Sequence, residues 1–147
     1  MTFHYTARGI LISDGHVLLV RVISDDKTFL PGGHIDHAEP APIALERELM
    51  EEACLSVKAG RFIGAVENQW DAKGTINVES CMLFELNCSS LSRSDPIQSN
   101  EAHLEYLWVP IQDLEMHQLY PKILRDLVCQ LDASTLTSAF WASEPLM

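Results

Sequence analysis

Four carboxylates crowd the seven residues Glu46-Arg47-Glu48-Leu49-Met50-Glu51-Glu52, with a single guanidinium among them. Glu48 stands three and four positions before Glu51 and Glu52. On a helix, at about 100° per residue, these three fall within an arc of roughly 100°, beside the stripe of Leu45 and Leu49 rather than opposite it. Like charges at such spacings weaken a helix. A lone E-x-x-E-E is ordinarily a solvated acidic face, but this one sits at the rim of the core and follows a loop with two consecutive glycines, Gly32-Gly33. That setting favours a hard, oxygen-loving divalent cation, Mg²⁺ first and Mn²⁺ second. The chemistry it would support is attack of water on phosphorus, with the metal orienting the substrate, offsetting its charge and acidifying bound water.

The overall charge makes the same point. Ten Lys and Arg against 21 Asp and Glu leave a formal net charge of −11, which opposes binding to a nucleic-acid polymer or an anionic membrane. A phosphate ester needs a cation's help to approach such a chain. At 147 residues, 47% of them hydrophobic, the length suits one domain over residues 1–147 with a real core. No apolar run nears the roughly 18 residues of a membrane span, and Met1-Thr2-Phe3-His4-Tyr5 lacks a secretory layout, so a soluble, cytoplasmic protein is expected. Cys54, Cys81, Cys88 and Cys129 are scattered, without a C-x-x-C pair, and are expected to be buried reduced thiols.

Elements must position these groups. Ala7–Ile12 and Val17–Val22 read as two strands joined at Asp14-Gly15. Phe29-Leu30 is a short strand that Pro31-Gly32-Gly33 should end in a loop of unusual backbone geometry. Residues 42–55 are helical by pattern, with Ala44, Leu45, Leu49 and Ala53 on one stripe. Residues 61–70 and 75–86 read as strands about a turn at Asp71-Ala72-Lys73-Gly74, with Ile76, Val78, Ser80, Met82 and Phe84 on one side of the second. Ser89–Asn100 is a loop and Leu104–Val109 a last strand. Pro121 opens a C-terminal amphipathic helix with Ile123, Leu124, Leu127, Val128 and Leu131. The tail from Asp132 has no assignable place. One early and one late helix among strands make a single α+β or α/β/α layered domain the natural solution.

Gly33-His34-Ile35-Asp36-His37-Ala38-Glu39, seven further residues, then Arg47-Glu48-Leu49-Met50-Glu51-Glu52-Ala53-Cys54-Leu55 resembles the Nudix box, G-x5-E-x7-R-E-U-x-E-E-x-G-U with U aliphatic, at residues 33–55. Every fixed position matches except Cys54, where the family has glycine. The lead-in Leu30-Pro31-Gly32-Gly33 and the late Glu105-Tyr106-Leu107-Trp108-Val109-Pro110 are also similar to Nudix proteins. The resemblance implies an α/β fold, an α/β/α sandwich with a mixed β-sheet, and a pyrophosphohydrolase that cleaves a nucleoside diphosphate linked to another moiety. It implies Glu48, Glu51 and Glu52 as metal ligands, with the Gly32 carbonyl an additional one. Arg47 would orient the glutamates, Glu39 would brace the loop against the helix, and Glu48 or Glu101 would take the proton from the attacking water. Glu105 reads as structural.

The departures bear on geometry rather than on ligands. Glycine at position 54 would end the helix in a left-handed conformation, so Cys54 implies a slightly different exit. Ala38 and Asp36 replace a common glycine and a common glutamate, which bears on the loop. Arg8 and Arg21 lie on strands bordering the expected cleft, and an arginine fork suits phosphate; surface solvation is an equal reading for each, as for Lys27. His34 and His37 flank the glycine loop and could touch phosphates, though solvent exposure is the commoner fate of such histidines. Trp70, before Trp108, could stack on a base. The rival reading is a catalytically silent nucleotide-binding regulatory module; an acidic calcium-binding domain is weaker, with no D-x-D-x-D-G loop. The substrate class stays open among nucleoside triphosphates, nucleotide sugars, ADP-ribose and dinucleoside polyphosphates. Asp71, where ADP-ribose-specific relatives often carry proline, lowers that option. A homodimer is equally open.

Overall fold

A computed structural model describes residues 1–144. The strands are β1 (Thr2–Ile10), β2 (Ile12–Ser13), β3 (His16–Val22), β4 (Thr28–Phe29), β5 (Gly32–His34), β6 (Lys58–Ala72), β7 (Thr75–Asn87), β8 (Leu104–Pro110) and β9 (Phe140–Glu144); the helices are α1 (Ala41–Ala53) and α2 (Leu124–Asp132). One sheet has the order β5-β1-β7-β6-β9, and in it β1–β7 and β6–β9 are parallel while β1–β5 and β6–β7 are antiparallel. The other runs β2-β3-β4, with β8 also on β3. This is the mixed α/β sandwich that the sequence implies.

Burial on both faces explains why Val17–Val20 of β3 is an unbroken apolar run. Val17 and Leu19 point to a cluster shared with Leu124, Leu127 and Val128 of α2. Leu18 and Val20 point to the opposite cluster, with Leu45, Leu49 and Ala53 of α1. The two helices therefore flank the strands on opposite sides. In α1 the buried residues are Ala44, Leu45, Leu49 and Ala53, the stripe expected from spacing.

Several expectations need correction. The Asp14-Gly15 turn is present, both residues with positive φ (47° and 70°) as a two-residue hairpin requires, but only Ile12 and Ser13 pair across it. The preceding strand starts earlier, at Thr2, and belongs to the other sheet. Gly32-Gly33 does not simply end in loop: it opens β5, which pairs antiparallel with β1 through Ala7↔Gly33 and Arg8↔Gly32. On β7, whose sides alternate as expected, Asn77, Glu79, Cys81 and Leu83 make the more deeply buried one. The C-terminal helix begins at Leu124, three residues after Pro121. The tail contains β9, seated parallel on β6. All four cysteines are free, but only Cys81 is buried; Cys54 and Cys129 are exposed. Among the described residues no helix is long and apolar enough to cross a membrane.

Candidate active site

The glycine loop and α1 are tied together by one guanidinium. Arg47 donates from Nε and Nη2 to the two Glu39 carboxylate oxygens at 2.8 and 2.9 Å, and from Nη2 to the His34 carbonyl at 3.1 Å. Its Nη1 donates to Glu48 at 3.0 Å and to Glu51 at 3.2 Å. Such a fork is a geometry that arginine provides and lysine does not. Its hydrogen bonds, with one from the Asp36 N–H, hold the Glu39 carboxyl down at about 2. Glu39 is thus a fixed anion bracing the loop against the helix.

Beside this clamp lies a cleft of about 340 Å³, lined on one wall by Gly32, Gly33 and His34 of β5 with Glu48 and Glu52 of α1, and on the other by Val20, Val22 and Phe29; Arg8, Glu101 and His103 also reach it. Glu52 accepts a 2.6 Å hydrogen bond from the Tyr106 hydroxyl. Burial pushes its carboxyl above the usual range, and the Glu48 and Glu101 charges add to the rise. In this partly dry cleft the ionised form of Glu52 is therefore the costly one. Glu101 pairs with His103 at 3.4 Å.

Close approach explains one glycine. A Cβ on Gly33 would stand 2.5 Å from the Glu48 carboxyl carbon and one of its oxygens. The neighbouring Gly32 has φ +133°, and a Cβ there would strike the Ala7 carbonyl. The carboxylate thus occupies a cradle that any side chain at position 33 would fill. Hard carboxylate oxygens with a nearby backbone carbonyl fit Mg²⁺ or Mn²⁺. Among the described residues no three His, Cys, Asp or Glu side chains are already gathered around one point; Arg47 engages Glu48 and Glu51, and Tyr106 engages Glu52.

The sequence candidates therefore separate. Glu48, Glu52, Glu101, Arg8, His34 and Gly32 line one cleft. Glu51 and Arg47 lie on its outer flank, Glu51 with its side chain 60% exposed. Arg21 is not part of the lining: it pairs with Glu105 across β3 and β8 at 2.8 Å. His34 Nε2 lies 2.9 Å from Nδ1 of His4, which stacks on Trp70.

Sequence spacing missed several participants. The Glu79 carboxylate is buried, accepts from Thr6 Oγ1 at 2.7 Å and lies 3.7 Å from Arg8 Nε. Arg8 Nη1 donates to the Leu30 carbonyl at 2.8 Å and reaches that of Gly32 at 3.4 Å, fixing the turn into β5. Asn100 donates from its backbone to the Glu52 carbonyl at 2.6 Å and from Nδ2 to that of Glu51 at 2.9 Å, closing the end of α1. There Cys54 keeps a left-handed conformation, φ 53°, and Ala38 does the same at φ 61°. The different helix exit expected for Cys54 is thus not found. Neither Tyr106, Glu79 nor Asn100 is near its partner in sequence; only the polar residue in a strand context of Glu79 could have marked one of them.

The family model of the NUDIX domain matches residues 3–130. Among curated proteins none matches. Solved structures do. The MutT protein from Methanosarcina mazei Go1 is 21% identical with a TM-score of 0.66, over 92% of this chain and 97% of that one. The E. coli ORF135 protein is 21% identical with a TM-score of 0.63, over 94% and 96%. An ADP-ribose pyrophosphatase from Streptococcus suis 89-1591 is 19% identical with a TM-score of 0.63, over 96% and 98%. At these identities the likeness is one of fold.

Proposed function

The chain belongs to the NUDIX family, hydrolases of phosphoric anhydride bonds, and from that premise we propose that it is a Mg²⁺-dependent pyrophosphohydrolase of a nucleoside diphosphate linked to another moiety. The observation that carries the reading is the convergence of Glu48 and Glu52 with Glu101 and Arg8 on one cleft beside the Gly32 carbonyl. Glu48, Glu51, Glu52 and the Gly32 carbonyl would hold the cation; bound, it would neutralise the diphosphate and acidify water. Arg47 keeps Glu48 and Glu51 aimed through its Nη1 hydrogen bonds. Tyr106 keeps Glu52 aimed by its hydroxyl. Arg8, anchored through Nη1 and facing Glu79 with Nε, would offer Nη2 to a phosphate oxygen. Glu101, half-exposed on a loop pinned by Asn100, is placed to take the proton from the attacking water, with Glu48 the other candidate. Water adds to phosphorus, the bridging oxygen leaves, and the products are a nucleoside monophosphate and the phosphorylated second moiety.

The test is turnover of nucleoside triphosphates, nucleotide sugars, ADP-ribose and diadenosine polyphosphates with Mg²⁺ or Mn²⁺, wild type against Glu52→Gln. Turnover abolished by chelator and reduced at least 100-fold in the variant supports the proposal. A folded wild type that binds a nucleotide and hydrolyses none of the panel refutes it and favours the regulatory module.

A further inference from the structure

Cations are scarce in this chain, and their placement is uneven. Of ten Lys and Arg residues, Arg8, Arg21, Arg47, Lys58, Arg61 and Arg93 each stand within 4.0 Å of a carboxylate. Three of the other four gather on one aromatic ring. The Lys27 ammonium lies 4.8 Å from the Tyr120 ring centroid, with the Lys122 ammonium and the Arg125 guanidinium each at 5.8 Å. Asp25 and Asp26 precede Lys27 and Asp126 follows Arg125, yet among the described residues none makes an ion pair with these cations; Asp25 accepts from the backbone N–H of Lys27.

Three like charges around one ring repel one another, and in a chain of net charge −11 carboxylate partners are plentiful. The ring quadrupole offsets part of that repulsion; an incoming anion would offset the rest. The cluster is also attached to the cleft. Thr28 bridges Leu119, and the Tyr120 N–H donates to the Thr28 carbonyl at 2.9 Å. Arg125 is held by a 3.1 Å bond from Nε to the Leu119 carbonyl. Lys27 stands two positions before Phe29 of the cleft wall, at most about 7 Å of chain.

We propose that Lys27, Lys122 and Arg125 around Tyr120 form an anion subsite at the rim of the cleft, which takes a substrate phosphate remote from the scissile anhydride. The preferred substrates then carry long polyphosphate chains. This deepens the hydrolase reading and rests on it for the word substrate, but not for the anion site itself.

Two measurements separate the two. Wild type and Lys27→Ala/Lys122→Ala are titrated calorimetrically with inorganic tripolyphosphate in chelator at low salt, with Lys73→Ala as a control that loses a charge on the β6–β7 turn which likewise has no ion pair among the described residues. Binding by wild type and by the control, weakened at least fivefold in the double variant and erased in every protein by high salt, supports the subsite. No binding, or equal affinity in all three, overturns it whatever the enzyme does. The kinetic arm compares a dinucleoside tetraphosphate with the dinucleoside diphosphate of the same bases. The wild-type preference for the longer chain should fall at least fivefold in the double variant, through KM, and persist in the control. Turnover with no such preference overturns the subsite and leaves the hydrolase standing. Absence of turnover refutes the hydrolase and leaves the titration to decide.

Discussion

Gly33→Ala should separate stability from activity. Gly33 has no positive φ, so alanine is compatible with its backbone, and the change would by itself stabilise the chain by about 0.4–1 kcal/mol through the unfolded state. The obstacle is functional. The new Cβ meets the Glu48 carboxylate at 2.5 Å, roughly 0.9 Å inside the 3.4 Å at which ordinary contact begins. The carboxylate is the far end of a flexible side chain and yields, leaving its 3.0 Å bond to Arg47 as it does so. Misplacement of a reacting group by about 1 Å costs on the order of 100-fold in rate. The expected result is a Tm within about 3 °C of wild type, a 100-fold lower kcat/KM, and a higher metal concentration for half-maximal activity. Gly32→Ala is the counter-case: at φ +133° its Cβ would strike the Ala7 carbonyl, so the fold itself suffers and Tm falls. A Gly33→Ala enzyme with wild-type kcat/KM and an unchanged metal requirement would refute the argument that the position of the Glu48 carboxylate governs turnover.

Glu52→Gln should reduce turnover at least 100-fold, and Mg²⁺ should raise the Tm of wild type but not of the variant. Because folding raises the Glu52 pKa, its favourable contribution is complete below the unfolded value near 4.5 and is lost as pH rises through the folded value; in chelator at pH 7 the variant should therefore be no less stable than wild type by thermal melting. Tyr106→Phe removes a bond that favours the ionised carboxylate, so the acid limb of kcat/KM against pH should move to higher pH, and a limb that stays or moves lower counts against the bond. Cys54→Gly and Ala38→Gly each relieve a left-handed backbone and should raise Tm by roughly 1 kcal/mol's worth apiece with activity retained, a gain partly offset by glycine's freer unfolded chain.

The difference between what could and could not be read in advance follows the range of the contacts. Glu48, Glu51 and Glu52 were legible because a helix turns three- and four-residue spacing into a shared face. Their supports were not: Tyr106 meets Glu52 across 54 positions and Asn100 meets Glu51 across 49. Thr6 and Glu79 meet because β1 and β7 pair in parallel, a register that neither strand's own pattern specifies. The apolar runs announced β3 and β8, whereas β5 spans three residues, all small or polar, and β9 five, with Ala142, Ser143 and Glu144 small or polar. The left-handed backbone at Cys54 shows a third limit. Here one tertiary tie, the Asn100 side chain against its sulfur at 3.1 Å, joins the local helix-end bond from its N–H to the Met50 carbonyl in holding a conformation that the residue type disfavours.

Asn100 has a consequence for how this fold can diverge. It indexes the following residue, Glu101, against the last turn of α1, while the polar groups of Ser92 and Ser94 are fastened to each other and to Asp95. Residues can be inserted or deleted between Cys88 and Ser99 without carrying Glu101 away from Glu48 and Glu52, because the count restarts at the helix end rather than running from β7. Loop length there becomes a variable that lineages can use to reshape the mouth of the cleft while the spacing of the carboxylates behind it stays constant.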